Sequence, residues 1–295
     1  AASNVASIGL TTLRVFHSFS EDRLFAAAGV ILPTGKTGYD PAETAVTQLI
    51  ADDFLALPLK QLGGGFGLIM QVGGASQYEW LLYGGSIGYT YAGSYTYLKD
   101  GDNYNPGDEI VVQGSASAVG RTSSLDLDLS YKLYTADKIG SEQIFKVGGI
   151  VSAVLTGKYN FHNGMLSATL AEILRSKNSL QFGSALRTED RQSNANKTIL
   201  GGSATYAFMP QWSFTMLTEY RLLAANKYEV TSEKYFGKSD LFSFGGGIDY
   251  RDPGDRFTLT TRLVLSSGEA NKDAVQHPSI SISAYELSIG GRIRL

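Results

Sequence analysis

Charged residues stand at alternate positions in several short stretches of the chain, and this spacing is the feature most able to do chemistry. In one such stretch Asp126, Asp128 and Lys132 share a parity, with leucines and a tyrosine between them. If the stretch is a β-strand, these three side chains project from one face. The candidates found in this way are Asp126, Asp128, Lys132, Glu219, Arg221, Arg256, Arg262, Glu286, Arg292 and Arg294.

Acids and bases that line one enclosed space have two possible roles. Mixed signs on facing walls would create a transverse field that orients water and solutes, and a ring of one sign would bias ion selectivity. Alternatively, the charges pair with one another across a crowded interior, because a buried unpaired charge is costly. The sequence leaves both roles open for each candidate.

Groups for catalysis or metal binding are not assembled in the sequence. His17, His162 and His277 are too scattered for a metal site to be inferred from spacing. Cysteine is absent, which removes disulfides and thiolate chemistry, and no histidine lies at a spacing that indicates activation of a serine. We therefore expect no enzymatic activity, no cofactor and no metal.

Overall charge and hydropathy exclude two further classes. A formal net charge of −3 gives no basic field of the kind that gathers nucleic acid, so we expect no nucleic-acid partner. No run of about 18 apolar residues occurs, which argues against a membrane-spanning helix. The mean hydropathy of −0.06 reflects apolar and polar residues that are interleaved.

The elements that must position the charged residues are strands with two different faces. Leu125, Leu127, Leu129, Tyr131 and Leu133 alternate with the polar residues between them, and the pattern returns at Tyr285, Leu287 and Ile289. If the apolar faces meet lipid and the charged faces enclose water, the fold is all-β, a transmembrane antiparallel up-and-down β-barrel.

Turn residues divide the chain into a meander in which short turns alternate with long loops, as in outer-membrane barrels. The pattern predicts 12–14 strands in one barrel domain over 1–295, with 13 if 165–187 holds one long strand. Five tyrosines at alternate positions predict an aromatic girdle on one strand: Tyr83, Tyr89, Tyr91, Tyr95 and Tyr97.

The segment 33–64 is long and unusually apolar for an exposed loop. A short amphipathic helix is possible over 43–55. The segment either folds into the barrel as a constriction or hatch, or caps the rim or packs on a neighbouring protein. The constriction candidates are Ile50, Phe54, Leu55, Leu57 and Leu59.

Three short motifs carry a resemblance to a known family. They are Gly29-Val30-Ile31-Leu32-Pro33-Thr34-Gly35-Lys36, Gln61-Leu62-Gly63-Gly64-Gly65, and Tyr104-Asn105-Pro106-Gly107-Asp108. Together they resemble the phenol meta-pathway family of outer-membrane transporter-like barrels, distantly similar to fatty-acid and toluene channels, over roughly residues 1 to 140. Members of that family carry further strands before the first motif, so the resemblance implies that one or more N-terminal strands are lacking here.

The expected function is an outer-membrane channel of a Gram-negative envelope for passive passage of small, hydrophobic or aromatic solutes. The alternative is a non-conducting outer-membrane barrel that anchors or scaffolds a partner envelope protein. Expected partners are membrane lipid, a small-molecule solute and, under the alternative, an envelope protein.

Overall fold

The computed structural model describes residues 9–21, 23–44, 47, 54, 63–254, 256–273, 275 and 278–293. Within these ranges antiparallel strands in chain order form one 13-stranded sheet. Its strands are β1 (Thr11–Phe19), β2 (Leu24–Leu32), β3 (Gly67–Tyr78), β4 (Leu81–Ala92), β7 (Glu109–Val119), β8 (Ser123–Tyr134), β11 (Ile150–Phe161), β12 (Gly164–Arg175), β15 (Lys197–Met209), β16 (Trp212–Leu223), β17 (Lys238–Arg251), β18 (Phe257–Lys272) and β19 (Ile280–Ile293).

Six further strands form a second sheet from the long connections of the first. These are β5 (Tyr95–Thr96), β6 (Asn103–Asn105), β9 (Asp137–Ile139), β10 (Glu142–Lys146), β13 (Ser179–Phe182) and β14 (Ala185–Thr188). The order β14-β13-β10-β9-β6-β5 links three successive connections side by side. We call this assembly the loop sheet.

The connections of the 13-stranded sheet differ between its two ends. Those at one end are short turns, at 20–23, 79–80, 120–122, 162–163, 210–211 and 252–256. Those at the other end are longer, at 33–66, 93–108, 135–149, 176–196, 224–237 and 273–279. The predicted all-β antiparallel up-and-down fold is confirmed, and its two ends are called the turn end and the loop end below.

The apolar side chains, which stand at alternate positions along the wall strands, lie on the outer surface. On β8 the side chains of Leu125 and Leu129 are 50% and 48% exposed, and on β18 those of Leu259 and Leu263 are 36% and 48% exposed. These leucines therefore do not meet in a dry protein centre. Successive strands repeat the arrangement in register, with Leu127 opposite Leu155 and Leu263 opposite Leu287.

The opposite parity faces an interior around which the sheet curves. Phe54 belongs to the connection between β2 and β3, yet its carbonyl oxygen accepts a hydrogen bond from Arg221 on β16, the tenth strand of the sheet, at 3.2 Å. Such a contact requires the sheet to curve, so that β16 lies near a residue of the connection that follows β2. Within the described ranges no pairing joins β1 to β19.

Strand boundaries explain the difficulty in counting strands from the sequence. β12 ends at Arg175, and the next residues form the β13–β14 hairpin of the loop sheet and not a wall strand. The count of 13 wall strands thus agrees with the described residues, but the expectation that 165–187 holds one long strand is wrong. The girdle of five tyrosines is wrong in part, because β4 ends at Ala92 and Tyr95 and Tyr97 belong to the loop region.

Few apolar side chains are buried in the described residues: Ala27, Tyr39, Phe54, Ala171, Tyr235 and Leu241. The exposed apolar residues are far more numerous, and a water-soluble monomer rarely exposes a continuous surface of this kind. The fold thus needs an apolar environment around its outer face. No helix in the described part of the chain is long and apolar enough to cross a bilayer.

We predict that Leu127→Arg destabilises the folded protein by about 2–4 kcal/mol, since arginine on a lipid-facing position near the bilayer midplane costs this much. Ser130→Arg is the matched control, because it places the same side chain on the inner face of β8. Reversible urea unfolding in phospholipid vesicles measures both values. Equal destabilisation by the two substitutions would contradict the assignment of faces.

Candidate functional site

Three of the predicted interior charges pair with partners on neighbouring strands. Lys158 Nζ on β11 lies 2.8 Å from Asp126 Oδ2, and Lys132 Nζ lies 3.2 Å from a carboxylate oxygen of Glu109 on β7. Arg262 Nη2 lies 3.0 Å from Asp249 on β17. The partners Glu109, Lys158 and Asp249 were missed from the sequence, although each occupies the inner parity of its strand.

The Arg262–Asp249 pair lies beside a glycine that the backbone requires. A Cβ at Gly247 would overlap the Thr261 carbonyl oxygen and would lie 2.6 Å from Cδ of Arg262. Thr260 Oγ1 donates to Oδ1 of the Asp249 carboxylate at 2.8 Å. This carboxylate is therefore held between a cation and a hydroxyl group and contributes to the packing of the wall.

Arg221 connects the wall to the interior segment. Its guanidinium forms an ion pair with Glu219, two residues earlier on the same face of β16, and also donates to the Phe54 carbonyl. The Phe54 residue is 4% exposed. Of the five constriction candidates, the structure places Phe54 in the interior, while Ile50, Leu55, Leu57 and Leu59 lie outside the described residues.

The other predicted charges have different surroundings. Three of them face the inner side by strand parity and are exposed: Asp128, Glu286 and Arg292. Their side chains form no hydrogen bond or ion pair within the described ranges. Arg256 does not lie on a strand: it belongs to the turn before β18, where its backbone N–H donates to Asp252 at 3.3 Å. Arg294 lies outside the described residues.

The start of the 33–66 connection is fixed to the neighbouring loop. Helical residues at 41–44 follow a capping box, in which Asp40 Oδ1 accepts from the Glu43 N–H and Glu43 Oε2 accepts from the Asp40 N–H. Tyr39 pairs in parallel with Leu98, and its N–H donates to the Tyr97 carbonyl at 2.8 Å. Of the amphipathic helix predicted over 43–55, the described residues show only 43, 44 and 47 as helical.

Four tyrosines gather at this position on the loop end: Tyr39, Tyr95, Tyr97 and Tyr104. The Tyr39 and Tyr97 rings lie 5.7 Å apart and nearly edge to face. Tyr104 donates to Asp137 Oδ2 at 2.6 Å, and burial together with this bond raises the pKa of Tyr104. Burial likewise raises the pKa of Tyr39, so Tyr39 and Tyr104 are neutral phenols.

The third motif of the family resemblance has a structural role in this region. Asp108 accepts hydrogen bonds from the Tyr89 hydroxyl at 2.7 Å and from the Ala92 N–H at 3.1 Å. The Gly107 N–H donates to Asp137 at 2.7 Å. These contacts join the end of β4 to the loop sheet and fix the base of the tyrosine cluster.

One serine matches a nucleophile motif in sequence but not in structure. Ser86 stands in Gly84-Gly85-Ser86-Ile87-Gly88, which has the Gly-x-Ser-x-Gly spacing. The motif requires a sharp turn between a strand and a helix, whereas Ser86 lies within β4. Its hydroxyl bonds to Gln113 at 3.2 Å. In the described residues no three His, Asp or Glu side chains group as a metal site would require.

Two adjoining cavities open from the inner wall. The larger, about 490 Å³, lies over β3, β4, β7, β8 and β11, and the smaller, about 380 Å³, lies beside it. Asp128, Ala75, Gly84 and Ser115 line both cavities. Short inward side chains on adjacent strands leave this space, which is of the size that binds small molecules.

Solved structures with related shape include a NanC porin, with 9% identity over 78% of this chain and 94% of that chain and a TM-score of 0.36. OmpT, an outer membrane protein of Vibrio cholerae, has 11% identity over 96% and 88%, with a TM-score of 0.47. A Pseudomonas aeruginosa FadL homologue has 11% identity over 95% and 76%, with a TM-score of 0.43.

No protein-family model and no curated protein matches the chain. The resemblance to phenol meta-pathway barrels is therefore not confirmed. Because each of these three TM-scores is below 0.5, the likenesses say nothing about the solute or activity of this chain. What the site does must follow from its own residues.

We predict that acidification loosens the start of the 33–66 connection. The hydrogen bond from Lys36 lowers the pKa of Glu43, so the pair is intact above the ordinary glutamate range and is lost as the pH falls through the lowered value. Amide hydrogen exchange over 36–44, corrected for intrinsic rates, should accelerate at acidic pH. Glu43→Gln should exchange rapidly already at neutral pH, and slow exchange in that variant would contradict the role of the pair.

Proposed function

We propose that this chain is an outer-membrane channel of a Gram-negative envelope that allows small solutes to pass without a cofactor or a catalytic step. The observation that carries the proposal is the division of each wall strand into an exposed apolar outer face and a polar inner face that holds charges and cavities. Lipid would cover the outer face, and water would solvate the inner one. All wall strands belong to one continuous sheet, so we treat 1–295 as one barrel domain.

The interior carries charge pairs at both ends, and at the loop end it also carries isoleucines. Toward the loop end the isoleucines on the inner parity of their strands are Ile69, Ile150, Ile173 and Ile199. Ile150 lies opposite Lys132 of the Glu109–Lys132 pair, and Ile199 lies opposite Arg221 of the Glu219–Arg221 pair. Toward the turn end the inner wall carries the Asp126–Lys158 and Asp249–Arg262 pairs. A solute that enters from the loop end would meet the isoleucines beside paired charges, and this apolar surface supports small hydrophobic or aromatic solutes.

The 33–66 connection is the proposed constriction. Phe54 is buried inside and is attached to Arg221, itself tied to Glu219. Leu241, also buried, lies opposite Arg221 in the register of β16 and β17. Phe54 would therefore narrow the passage next to one wall, which supports a constriction over a cap on the rim.

A non-conducting anchoring barrel is the rival function. The loop sheet favours it, because it exposes apolar residues away from the wall, among them Phe182 at 70% and Leu180 at 42%. A partner protein could cover them. Under this function the interior segment would close the passage.

Planar-bilayer recording with the purified, refolded barrel separates the two functions. The channel proposal predicts stepwise conductance and uptake of small aromatic solutes into proteoliposomes. Neither signal, together with a stoichiometric envelope protein in native purifications, would favour the anchoring barrel.

We further predict that Phe54→Ala raises single-channel conductance, because the side chain occupies the interior. Phe182→Ala is the matched control, since it removes the same ring from the exposed loop sheet and should leave conductance at the wild-type value. Unchanged conductance in Phe54→Ala would place the constriction elsewhere.

A further inference from the structure

Asp128 lies at the border of the two adjoining cavities described above, which we call the Asp128 hollow. In the register of the wall its row consists of short or apolar side chains: Ala75, Gly84, Ser115, Asp128 and Val154. No neighbour in this row is large enough to cover the carboxylate. The hollow therefore exposes the Asp128 carboxylate on a wall of small residues.

The cations near the hollow are already committed to other acids. Lys158 lines the smaller cavity together with Asp128, but its Nζ lies 2.8 Å from Asp126, which also accepts from Ser117. Lys132, four residues along β8, bonds to Glu109. The Asp128 carboxylate has no ion pair or hydrogen bond in the described part of the chain. The hollow therefore has an uncompensated negative charge.

The remaining wall of the larger cavity offers acceptors and one aromatic ring. Gln71 Nε2 donates to Ser86 at 3.1 Å and to Gln113 at 3.4 Å, so its amide nitrogen is engaged. The side-chain oxygen of Gln71, Oε1, accepts no hydrogen bond in the described residues. The Ser130 and Ser152 hydroxyls and the Phe25 ring complete the lining.

This combination suits an organic cation better than a bare metal ion. A divalent cation such as calcium takes six to eight oxygen ligands, often from several carboxylates, whereas the hollow supplies one free carboxylate. An ammonium group has three donors and no acceptor. An apolar substituent on the nitrogen would find apolar lining in the same cavity, at Ala75, Val154 and the Phe25 ring, and aromatic faces attract apolar groups.

We propose that the Asp128 hollow binds the ammonium group of a small apolar or aromatic amine, with Asp128 as its counter-ion. The proposal deepens the channel function, because it adds a cation-binding subsite on the inner wall. The role of this subsite in solute passage rests on the proposed channel function. Binding itself does not depend on conduction.

Calorimetric titration of the refolded barrel in detergent with benzylammonium tests the proposal. Benzyl alcohol is the matched neutral ligand, because it has the same ring without the charge. We expect benzylammonium to bind and benzyl alcohol to bind at least about tenfold more weakly, as loss of a charged hydrogen bond usually costs this much or more.

Asp128→Asn should weaken benzylammonium binding by about tenfold or more, and Asp128→Glu should restore part of it. Glu286→Gln is the control, because Glu286 is another inward acid without a partner in the described residues but lies on β19, far along the sheet. Its removal should leave binding unchanged. Circular dichroism and heat-modifiable electrophoretic mobility confirm that each variant is folded.

Equal affinity of the wild type for both ligands, or wild-type binding by Asp128→Asn, would overturn the proposal. So would an absence of benzylammonium binding. Conductance without amine binding would refute the hollow and leave the channel intact, whereas amine binding without conductance would support the hollow and refute the channel. In a conducting barrel Asp128→Asn should also lower the potassium-to-chloride permeability ratio.

Discussion

The constraint on which this structure depends is that a strand surrounded by hydrocarbon must satisfy its backbone polar groups within the protein while its side chains serve two solvents. The antiparallel registers from β1 to β19 supply the backbone bonds along the sheet. The period-two pattern then assigns every second residue outward. Leu125 and Leu129 are exposed for this reason, and Asp126 and Asp128 between them reach the interior.

The composition of the inner face decides how the interior is used. Short side chains such as Ser115 and Ser130 leave cavities in the wall, and neighbouring strands pair several of the charges that line it. Two other charged residues carry the proposals. Arg221 reaches the interior segment at Phe54, and Asp128 faces open space. The proposed constriction and the proposed amine site are therefore separate features on different strands of one wall.

Alternation predicted the wall because it reports on local geometry that each strand repeats. The fold class and the count of 13 wall strands followed from it, and turn residues indicated the short turns. Phe54 was a candidate for the interior for a different reason, because its segment is unusually apolar. The charge partners required pairing registers, which a single sequence does not contain. Lys158 is 32 residues from Asp126, yet Asp126 pairs with Thr156, and Lys158 lies two residues farther along the same strand within bonding distance.

The loop sheet could not be predicted from alternation. Its strands are as short as two residues, too short to show a period, and three separate connections supply them. For the same reason Tyr95 and Tyr97 appeared to continue β4, although a break after Ala92 moves them into the cluster with Tyr39 and Tyr104. Arg256 was misplaced because a turn at Asp252 interrupts the parity that it shares with Arg262.

The orientation of the two faces is the central claim, and adjacent single-cysteine labels test it most directly. The chain has no native cysteine, so Leu129→Cys and Ser130→Cys each carry one spin label in lipid vesicles. The account predicts that the label at 129 collides preferentially with oxygen dissolved in lipid and the label at 130 with a water-soluble nickel complex. The reverse preference, or equal access of both labels to the nickel complex, would contradict it.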